Sequence, residues 1–182
     1  MIKKVILISF LIGSILFSQE NKEPIASITM SFGAVFVRRT DASSWKVSSV
    51  GTYIFQGDKI RTKESGKAEV MFIDGSVIFI GNETEMEFLD QPQQEELKNS
   101  IFLFFGSIWN KVTKNTNYDV ESVHALATVR GTYFKVAVSD SMEVWVKDGL
   151  VEIENQFGKV EAGANTYTKV SQQVAPINES VE

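Results

Sequence analysis

Residues 125–155 read ALATVRGTYFKVAVSDSMEVWVKDGLVEIEN, and this stretch predicts the fold more clearly than any other part of the chain. Side chains alternate along an extended segment, so Thr132, Phe134, Val136 and Val138 fall on one face. A helical stripe at positions i, i+3 and i+4 fits this pattern less well. The stretch therefore predicts β-structure, in the form of three strands separated by two turns.

Both predicted turns contain residues that favour chain reversal. Ser139, Asp140 and Ser141 separate the first two strands, and such short polar residues are typical of turns. Asp148-Gly149 separates the second and third strands, and an Asp-Gly pair between apolar runs indicates a hairpin because glycine accepts positive φ. We therefore predict that the strands on either side of Asp148-Gly149 pair with each other.

A second Asp-Gly pair occurs earlier in the chain and predicts another hairpin. Asp74-Gly75 lies between the apolar segments AEVMFI at 68–73 and SVIFI at 76–80. Apolar residues occupy both faces of these segments, which is typical of strands buried on both sides. The run 102–105, Phe-Leu-Phe-Phe, is expected to be core, and if exposed it would be a partner site.

The two parts of the chain resemble each other in outline. Gly33 followed by Asp74-Gly75 corresponds to Gly106 followed by Asp148-Gly149, although the spacing differs. Many short strands at regular spacing favour a sandwich or roll. We predict one all-β domain, a β-sandwich that is jelly-roll-like or a β-roll, built from two loosely related halves. The polar segment 90–99 is expected to form a surface loop or one short helical turn between them.

The first residues have the pattern of a secretory signal peptide. Lys3 and Lys4 precede an apolar run from Val5 to Phe17, which is shorter than the roughly 20 residues of a comfortable membrane span. We predict a short apolar signal helix at 1–18, a flexible leader at 19–26, the β domain at 27–175 and a frayed tail at 176–182. No stable membrane span is expected after cleavage, and the alternative is an uncleaved N-terminal anchor.

Composition excludes several classes of protein. The 182 residues include no cysteine, so disulfides and thiolate metal sites are excluded. The formal net charge is −5 at pH 7, and an acidic surface argues against general nucleic-acid binding because it repels phosphates. Strand pairing and burial must therefore supply the stability of the exported domain.

Several segments together resemble a FecR domain. The resemblance covers roughly residues 30–165 and is carried by Gly33-Ala34-Val35, the segment 57–62 (GDKIRT), 68–72 and 74–76, Gly106-Ser107-Ile108-Trp109, the segment 127–136 (ATVRGTYFKV) and 146–153 (VKDGLVEI). The motif residues, which we expect to be structural, are Gly57, Asp58, Asp74, Gly75, Arg130, Gly131, Thr132, Phe134, Asp148 and Gly149.

The resemblance implies a β-rich domain in the periplasm or outside the cell. In its best-known setting this domain belongs to an anti-sigma regulator that senses an outer-membrane transporter. Such a regulator needs a cytoplasmic segment, and only Met1 to Lys4 precede the apolar run here. We therefore expect a free-standing exported module rather than a sigma regulator.

Few residues suggest chemistry. His124 is the only histidine, so a metal site would need carboxylates around it, and no motif places a serine beside it for nucleophilic catalysis. Arg130 is expected to pair with a carboxylate, the alternative being an anionic ligand. Trp45, Trp109 and Trp145 are expected to pack in the core or a groove, and would stack on sugars if exposed. We predict no catalytic, cofactor-binding or metal-binding residues.

The function that these observations favour is a non-enzymatic, exported module that binds a protein or glycan partner in the cell envelope. The first alternative is an accessory component of envelope signalling that acts through a separate membrane partner. The second alternative is a carbohydrate-active or other hydrolytic enzyme, which would need a concave pocket with convergent polar groups.

Overall fold

The computed structural model of the protein describes residues 22–90 and 98–180, and every regular element within them is a β-strand. The strands are β1 (Ala26–Phe32), β2 (Val35–Arg38), β3 (Lys46–Val47), β4 (Tyr53–Ile54), β5 (Lys59–Thr62), β6 (Lys67–Phe72), β7 (Val77–Ile80), β8 (Glu85–Phe88), β9 (Lys98–Lys111), β10 (Asn117–Glu121), β11 (Leu126–Arg130), β12 (Tyr133–Val138), β13 (Met142–Asp148), β14 (Leu150–Asn155), β15 (Gly158–Gly163), β16 (Thr166–Ser171) and β17 (Val174–Ser180).

The strands form two sheets that share β9. Sheet I has the order β4-β1-β6-β7-β9-β12-β13-β16-β17. Sheet II has the order β3-β2-β5-β8-β9-β10-β11-β14-β15. The first part of β9 pairs in sheet II and the part after Gly106 pairs in sheet I, so hydrogen bonds connect all seventeen strands. Among the described pairs, only β9–β10 is parallel.

The two sheets pack face to face around one core. Phe72 of sheet I meets Phe88 of sheet II with ring centroids 5.9 Å apart. Tyr118 of sheet II contacts Phe72 and Phe134 of sheet I, at 6.0 and 6.4 Å between ring centroids. Edge-to-face aromatic contacts of this kind add to the stabilisation from burial. The predicted all-β sandwich is therefore confirmed.

The side-chain alternation predicted within residues 125–155 is confirmed as well. Thr132, Phe134, Val136 and Val138 are all buried and point into the sandwich. The Asp74-Gly75 hairpin is also present, because β6 and β7 pair with Met71 opposite Val77. Side-chain alternation predicted the first feature and the Asp-Gly pair predicted the second, and both are local properties of the chain.

The predicted hairpin at Asp148-Gly149 is wrong. β13 pairs with β12 and β16 in sheet I, whereas β14 pairs with β11 and β15 in sheet II. Gly149, at φ +93°, is thus the point where the chain crosses between the sheets. The stretch also holds four strands rather than three, because Leu126–Arg130 forms β11 ahead of the crossing at Gly131.

The prediction that the apolar strands are buried on both faces is wrong. Val70 and Phe72 are buried, but Met71 and Phe79 on the opposite face are exposed to 41% and 38%. Ile101 and Leu103 likewise point into the core, while Phe102 and Phe104 lie half-buried on the outside of sheet II and Phe105 is exposed. Only one layer packs on each sheet, so one apolar face of these strands remains outside.

The ends of the chain are only partly described. The predicted signal helix and residues 19–21 of the leader lie outside the described residues, as does most of the polar segment 90–99. Where fraying was predicted from Pro176, β17 continues to Ser180 and pairs with β16, because its backbone completes the edge of sheet I. Within the described ranges, no helix is long and apolar enough to cross a membrane.

Candidate functional site

Most of the predicted motif residues gather at one end of the sandwich, which we call the motif end. The strand register shows this, because Val77, Lys111, Tyr133 and Asp148 follow one another across four neighbouring strands of sheet I. The turns and crossings next to them contain Asp74, Gly75, Gly131, Thr132 and Gly149. The turn at Gly57-Asp58 lies at the same end, because it follows Ile54, and both Ile54 and Phe72 pair with Ala26 of β1. Phe134 is the exception, since it lies in the core.

The turn at Gly57-Asp58 is held by a buried carboxylate. Asp58, 2% exposed, forms an ion pair with Arg39 and accepts a hydrogen bond of 2.9 Å from the backbone N–H of Phe55. The Arg39 guanidinium also lies 4.9 Å from the centre of the Phe55 ring and donates to the carbonyl of Tyr53 at 2.8 Å. This carboxylate is used within the fold.

Asp74 closes the β6–β7 turn in a similar way. Its Oδ1 accepts from the backbone N–H of Ser76 at 2.8 Å, which is the pattern of an Asx-turn. Its Oδ2 accepts from Asn99 Nδ2 at 2.8 Å, and the Ser76 hydroxyl accepts from the N–H of Thr113 at 3.0 Å. The turn is thereby bonded to the start of β9 and to the segment that follows its end.

The segment Arg130-Gly131-Thr132 divides into buried and exposed parts. Thr132 is buried and its hydroxyl donates to the carbonyl of Leu150 at 3.0 Å, which joins the two crossings. A Cβ on Gly149 would lie 2.8 Å from that hydroxyl, so the crossing needs glycine there. Arg130 is exposed, and the expected ion pair is absent from the described part of the chain.

The opposite end of the sandwich contains an open concavity of about 600 Å³. His124 lines it together with Glu121, Glu154 and polar amide side chains. The Nε2 atom of His124 donates to the carbonyl of Ser139 at 3.0 Å, whereas Nδ1 is buried without a hydrogen-bond partner among the described residues.

The hydroxyl of Ser122 accepts from the backbone N–H groups of His124 and Ala125 and donates to the carbonyl of Ala125. It is therefore engaged by the main chain rather than by the imidazole ring of His124. In residues 22–90 and 98–180, no three His, Asp or Glu side chains group as a metal site would require. Among the described residues, the concavity therefore brings together neither a Ser–His hydrogen bond nor a group of three metal ligands.

The outer face of sheet I carries two rows of residues that include partly exposed aromatic side chains. One row runs straight across the sheet, with each residue paired to the next in the register: Met30, Glu69, Phe79, Trp109, Lys135, Trp145, Tyr167 and Glu179. A parallel row two residues further along the strands includes Tyr53, Ser27, Met71, Val77, Lys111 and Tyr133. We call these two rows the aromatic face.

Ring contacts organise the aromatic face. Trp109 and Tyr133 have centroids 5.1 Å apart, and Trp145 and Tyr167 have centroids 5.2 Å apart. Lys135 Nζ lies 4.7 Å from the centre of the Trp145 ring. Partial burial and the neighbouring Glu143 carboxylate raise the pKa of Tyr167.

The tryptophans were expected in the core or a groove, and the structure corrects this. Trp109 and Trp145 lie half-exposed on the aromatic face, and Trp45 lies beside the guanidinium groups of Arg38 and Arg61 on sheet II. The alternation predicted from the sequence already places Trp145 opposite the buried valines. That signal pointed to the outer face, whereas the residue type pointed to the core.

The outer face of sheet II has several cross-strand ion pairs, whereas the described part of the outer face of sheet I has one, Lys169–Glu143 at 3.5 Å. Lys59 pairs with Glu87 at 2.6 Å, Arg61 with Glu85, and Lys159 with Glu152 at 2.6 Å, each across neighbouring strands. These cross-strand pairs hold much of the charge of sheet II within the chain.

Comparisons with known proteins agree with this architecture. A model of the family described as FecR protein matches residues 58–152, which are just over half of the chain. Two crystal structures of a protein assigned as an anti-sigma factor from Parabacteroides distasonis, at 2.50 and 1.65 Å resolution, are similar in fold. Each has 18% identity and a TM-score of 0.59, and the match covers 68% of this chain and 60% of that one.

The chain thus spans less than two thirds of the length of these solved structures, and at this identity the likeness concerns the fold alone. No curated protein matches the chain. The family match includes most of the motif-end residues, from Asp58 through the crossings at Gly131 and Gly149. The chain therefore belongs to the FecR family.

Proposed function

We propose that this protein is an exported, non-enzymatic FecR-type module that binds a protein partner in the cell envelope and acts there as a component of envelope signalling. The family match and the anti-sigma assignment of a protein with the same fold support a regulatory role. The basic start and apolar run of residues 1–18 support export. Signalling would pass through a separate membrane partner.

The observation that carries this proposal is the aromatic face. Protein interfaces are enriched in aromatic residues and methionine at their centre and are depleted there in charge. Phe79, Trp109 and Tyr133 lie together near the middle of sheet I, with Met71 beside them. Residues of these types, and tryptophan and tyrosine above all, dominate the binding energy of interfaces.

A glycan partner is the second candidate, because Trp109 and Trp145 are both partly exposed. Flat stacking of a sugar needs a free ring face. Trp109 is tilted against Tyr133 at 37°, and Lys135 lies over the ring of Trp145. Each contact covers one face of its ring and so leaves less free area for a flat sugar, which favours a protein.

The hydrolytic alternative has less support from the concavity at His124. General acid–base catalysis needs a titratable group within hydrogen-bond reach of the reacting atoms. The Nε2 atom of His124 is engaged by a backbone carbonyl, and the nearby Ser122 hydroxyl is engaged by backbone groups. The FecR family and the similar solved structures also belong to regulatory rather than enzymatic proteins.

Two experiments test the proposal. Mass spectrometry of the protein from fractionated cells should find a new N-terminus near residue 19 in the envelope fraction. An intact Met1 in the cytoplasmic fraction would contradict export.

The second experiment incorporates a photo-crosslinking amino acid at Phe79 in intact cells, with Thr128 on the outer face of sheet II as the matched control. Phe79 is 38% exposed and lies in the middle of the aromatic face, whereas Thr128 is on the other side of the sandwich. We expect crosslinked adducts with another envelope protein from position 79 and none from position 128. Equal adducts at both positions, or none at either, would contradict a role for the aromatic face.

A further inference from the structure

The middle of the aromatic face contains a short row whose charges are arranged symmetrically. Glu69, Phe79, Trp109 and Lys135 lie side by side on β6, β7, β9 and β12, as the register of these strands shows. The row thus reads negative, aromatic, aromatic, positive. Its ends are three strand spacings apart, or about 14 Å. We call these four residues the central row.

The two charges of the central row have no ion-pair partner in the described chain. Glu69 accepts a hydrogen bond of 2.5 Å from the hydroxyl of Thr29, and Lys135 lies over the ring of Trp145. Other outward-facing charges are paired across neighbouring strands, as Lys59–Glu87 on sheet II and Lys169–Glu143 on sheet I show. The two aromatic rings therefore have an acidic side chain on one side and a basic side chain on the other, and neither charge forms an ion pair within the described chain.

A second copy of the same face would supply ion-pair partners for Glu69 and Lys135. A two-fold axis along the strands, between β7 and β9, reverses the order of the row in the partner. Glu69 then faces Lys135 of the other copy, Phe79 faces Trp109, and both pairs occur twice, as an isologous interface requires. Met71 of the parallel row faces Tyr133 in the same arrangement.

We propose that the aromatic face binds a second copy of this chain, so that two sandwiches pack through sheet I into a symmetric dimer. This inference rests on the proposed function, since both use the same face, and it names the partner. Strands related by such an axis run in nearly the same direction, which matches aligned packing of sheets about 10 Å apart. An interface of standard size buries about 800 Å² on each partner, and the eight adjoining strands from β1 to β17 offer a face roughly 34 Å wide.

Charge reversal tests this arrangement directly. Sedimentation equilibrium of the exported protein should show a monomer–dimer equilibrium. Glu69→Lys and Lys135→Glu should each weaken dimerisation by at least about tenfold, because each places two like charges in contact across the axis. The double variant, Glu69→Lys with Lys135→Glu, should restore the dissociation constant to within about threefold, because both pairs form again with their signs exchanged.

Glu161→Lys on sheet II is the matched control, since it makes the same charge change at an exposed position away from the interface. It should leave the dissociation constant unchanged, and circular dichroism should show that every variant keeps the β spectrum. A protein that remains monomeric, a double variant without rescue, or an equal effect of Glu161→Lys would each overturn the inference.

The crosslinking experiment separates this inference from the proposed function. Adducts of twice the chain mass from position 79 support the dimer, and adducts with a different envelope protein support the broader proposal. A monomeric protein that still crosslinks to another protein would overturn the dimer and leave the proposed function standing. If the protein dimerises, the double variant restores dimerisation and no other envelope protein is crosslinked, the dimer is supported and the proposal of a separate envelope partner is overturned.

Discussion

Replacing Gly106 with alanine tests the strand that joins the two sheets. Gly106 has φ +99° at the point where β9 leaves sheet II and enters sheet I. A Cβ there would lie 2.5 Å from Thr84 Cα and 2.7 Å from the carbonyl oxygen of Glu83. Both neighbours are backbone atoms, which cannot rotate away as the end of a flexible side chain would.

The cost of this substitution has two parts. Holding a non-glycine residue in a sparsely populated backbone region costs about 1–3 kcal/mol. Inserting a methyl group where the packing has no room costs about 1–3 kcal/mol more. We therefore expect Gly106→Ala to lower the free energy of unfolding by about 2–6 kcal/mol, against a usual total of about 5–15 kcal/mol. For a chain of this length the melting temperature should fall by about 4–24 °C.

Two other glycines separate these parts. Gly51 has φ +85° with no atom within 4 Å of an added Cβ, so Gly51→Ala should cost only the backbone strain. Gly163 has neither a positive φ nor a close neighbour, so Gly163→Ala should change the free energy of unfolding by less than about 0.5 kcal/mol. Urea denaturation followed by circular dichroism measures all three variants. Equal losses for Gly106→Ala and Gly51→Ala would refute the close packing of β9 against Thr84.

Three further predictions concern the motif end and the core. Asp58→Ala removes the buried partner of Arg39, and we expect urea denaturation to show a loss on the order of 3 kcal/mol; an unchanged midpoint would contradict a structural role. Burial raises the pKa of Tyr118 well above its ordinary 10.0, so its contribution to stability is complete below pH 10 and is lost as pH rises towards the raised folded value. Thermal unfolding of Tyr118→Phe should therefore depend less on pH above 10 than that of the wild type, and parallel curves would argue against this. Asp148→Ala should change the free energy of unfolding by less than about 0.5 kcal/mol because the side chain is exposed. Gly149→Val should lower it by more than about 2 kcal/mol, because Gly149 has a positive φ and an added Cβ would lie 2.8 Å from the Thr132 hydroxyl. A larger loss for Asp148→Ala in thermal melts would contradict the crossing at Gly149.

The two Asp-Gly pairs show how far local sequence could predict the fold. Asp74-Gly75 forms the predicted hairpin, with Asp74 capping the turn through Ser76. Asp148-Gly149 has the same two residues between apolar runs, yet the chain leaves sheet I there and enters sheet II. Both glycines adopt positive φ, so the dipeptide predicts a sharp change of direction. Which strand lies beside the next one depends on partners far away in the sequence.

The candidate site illustrates the same limit. The alternation of residues 142–147 assigns Trp145 to the face opposite the buried valines. That signal alone could have placed the tryptophan outside. The other residues of the aromatic face, such as Phe79, Lys135 and Tyr167, come from other strands, some of them distant in the chain. Only the strand register brings them together.

The amino-acid sequence by itself determined the β-structure, which residues of a strand share a face and the positions where the chain must bend, because these follow from side-chain alternation and backbone preferences over a few residues. Tertiary structure alone decided which of two sheets each strand joins, that β9 belongs to both, and which apolar side chains remain outside. The physical reason is that a strand has two faces and two edges, and several different neighbours could stabilise it by burying its apolar faces and pairing with its backbone. A sandwich of two layers covers one face of each sheet, and the side chains of the other face remain partly exposed to solvent.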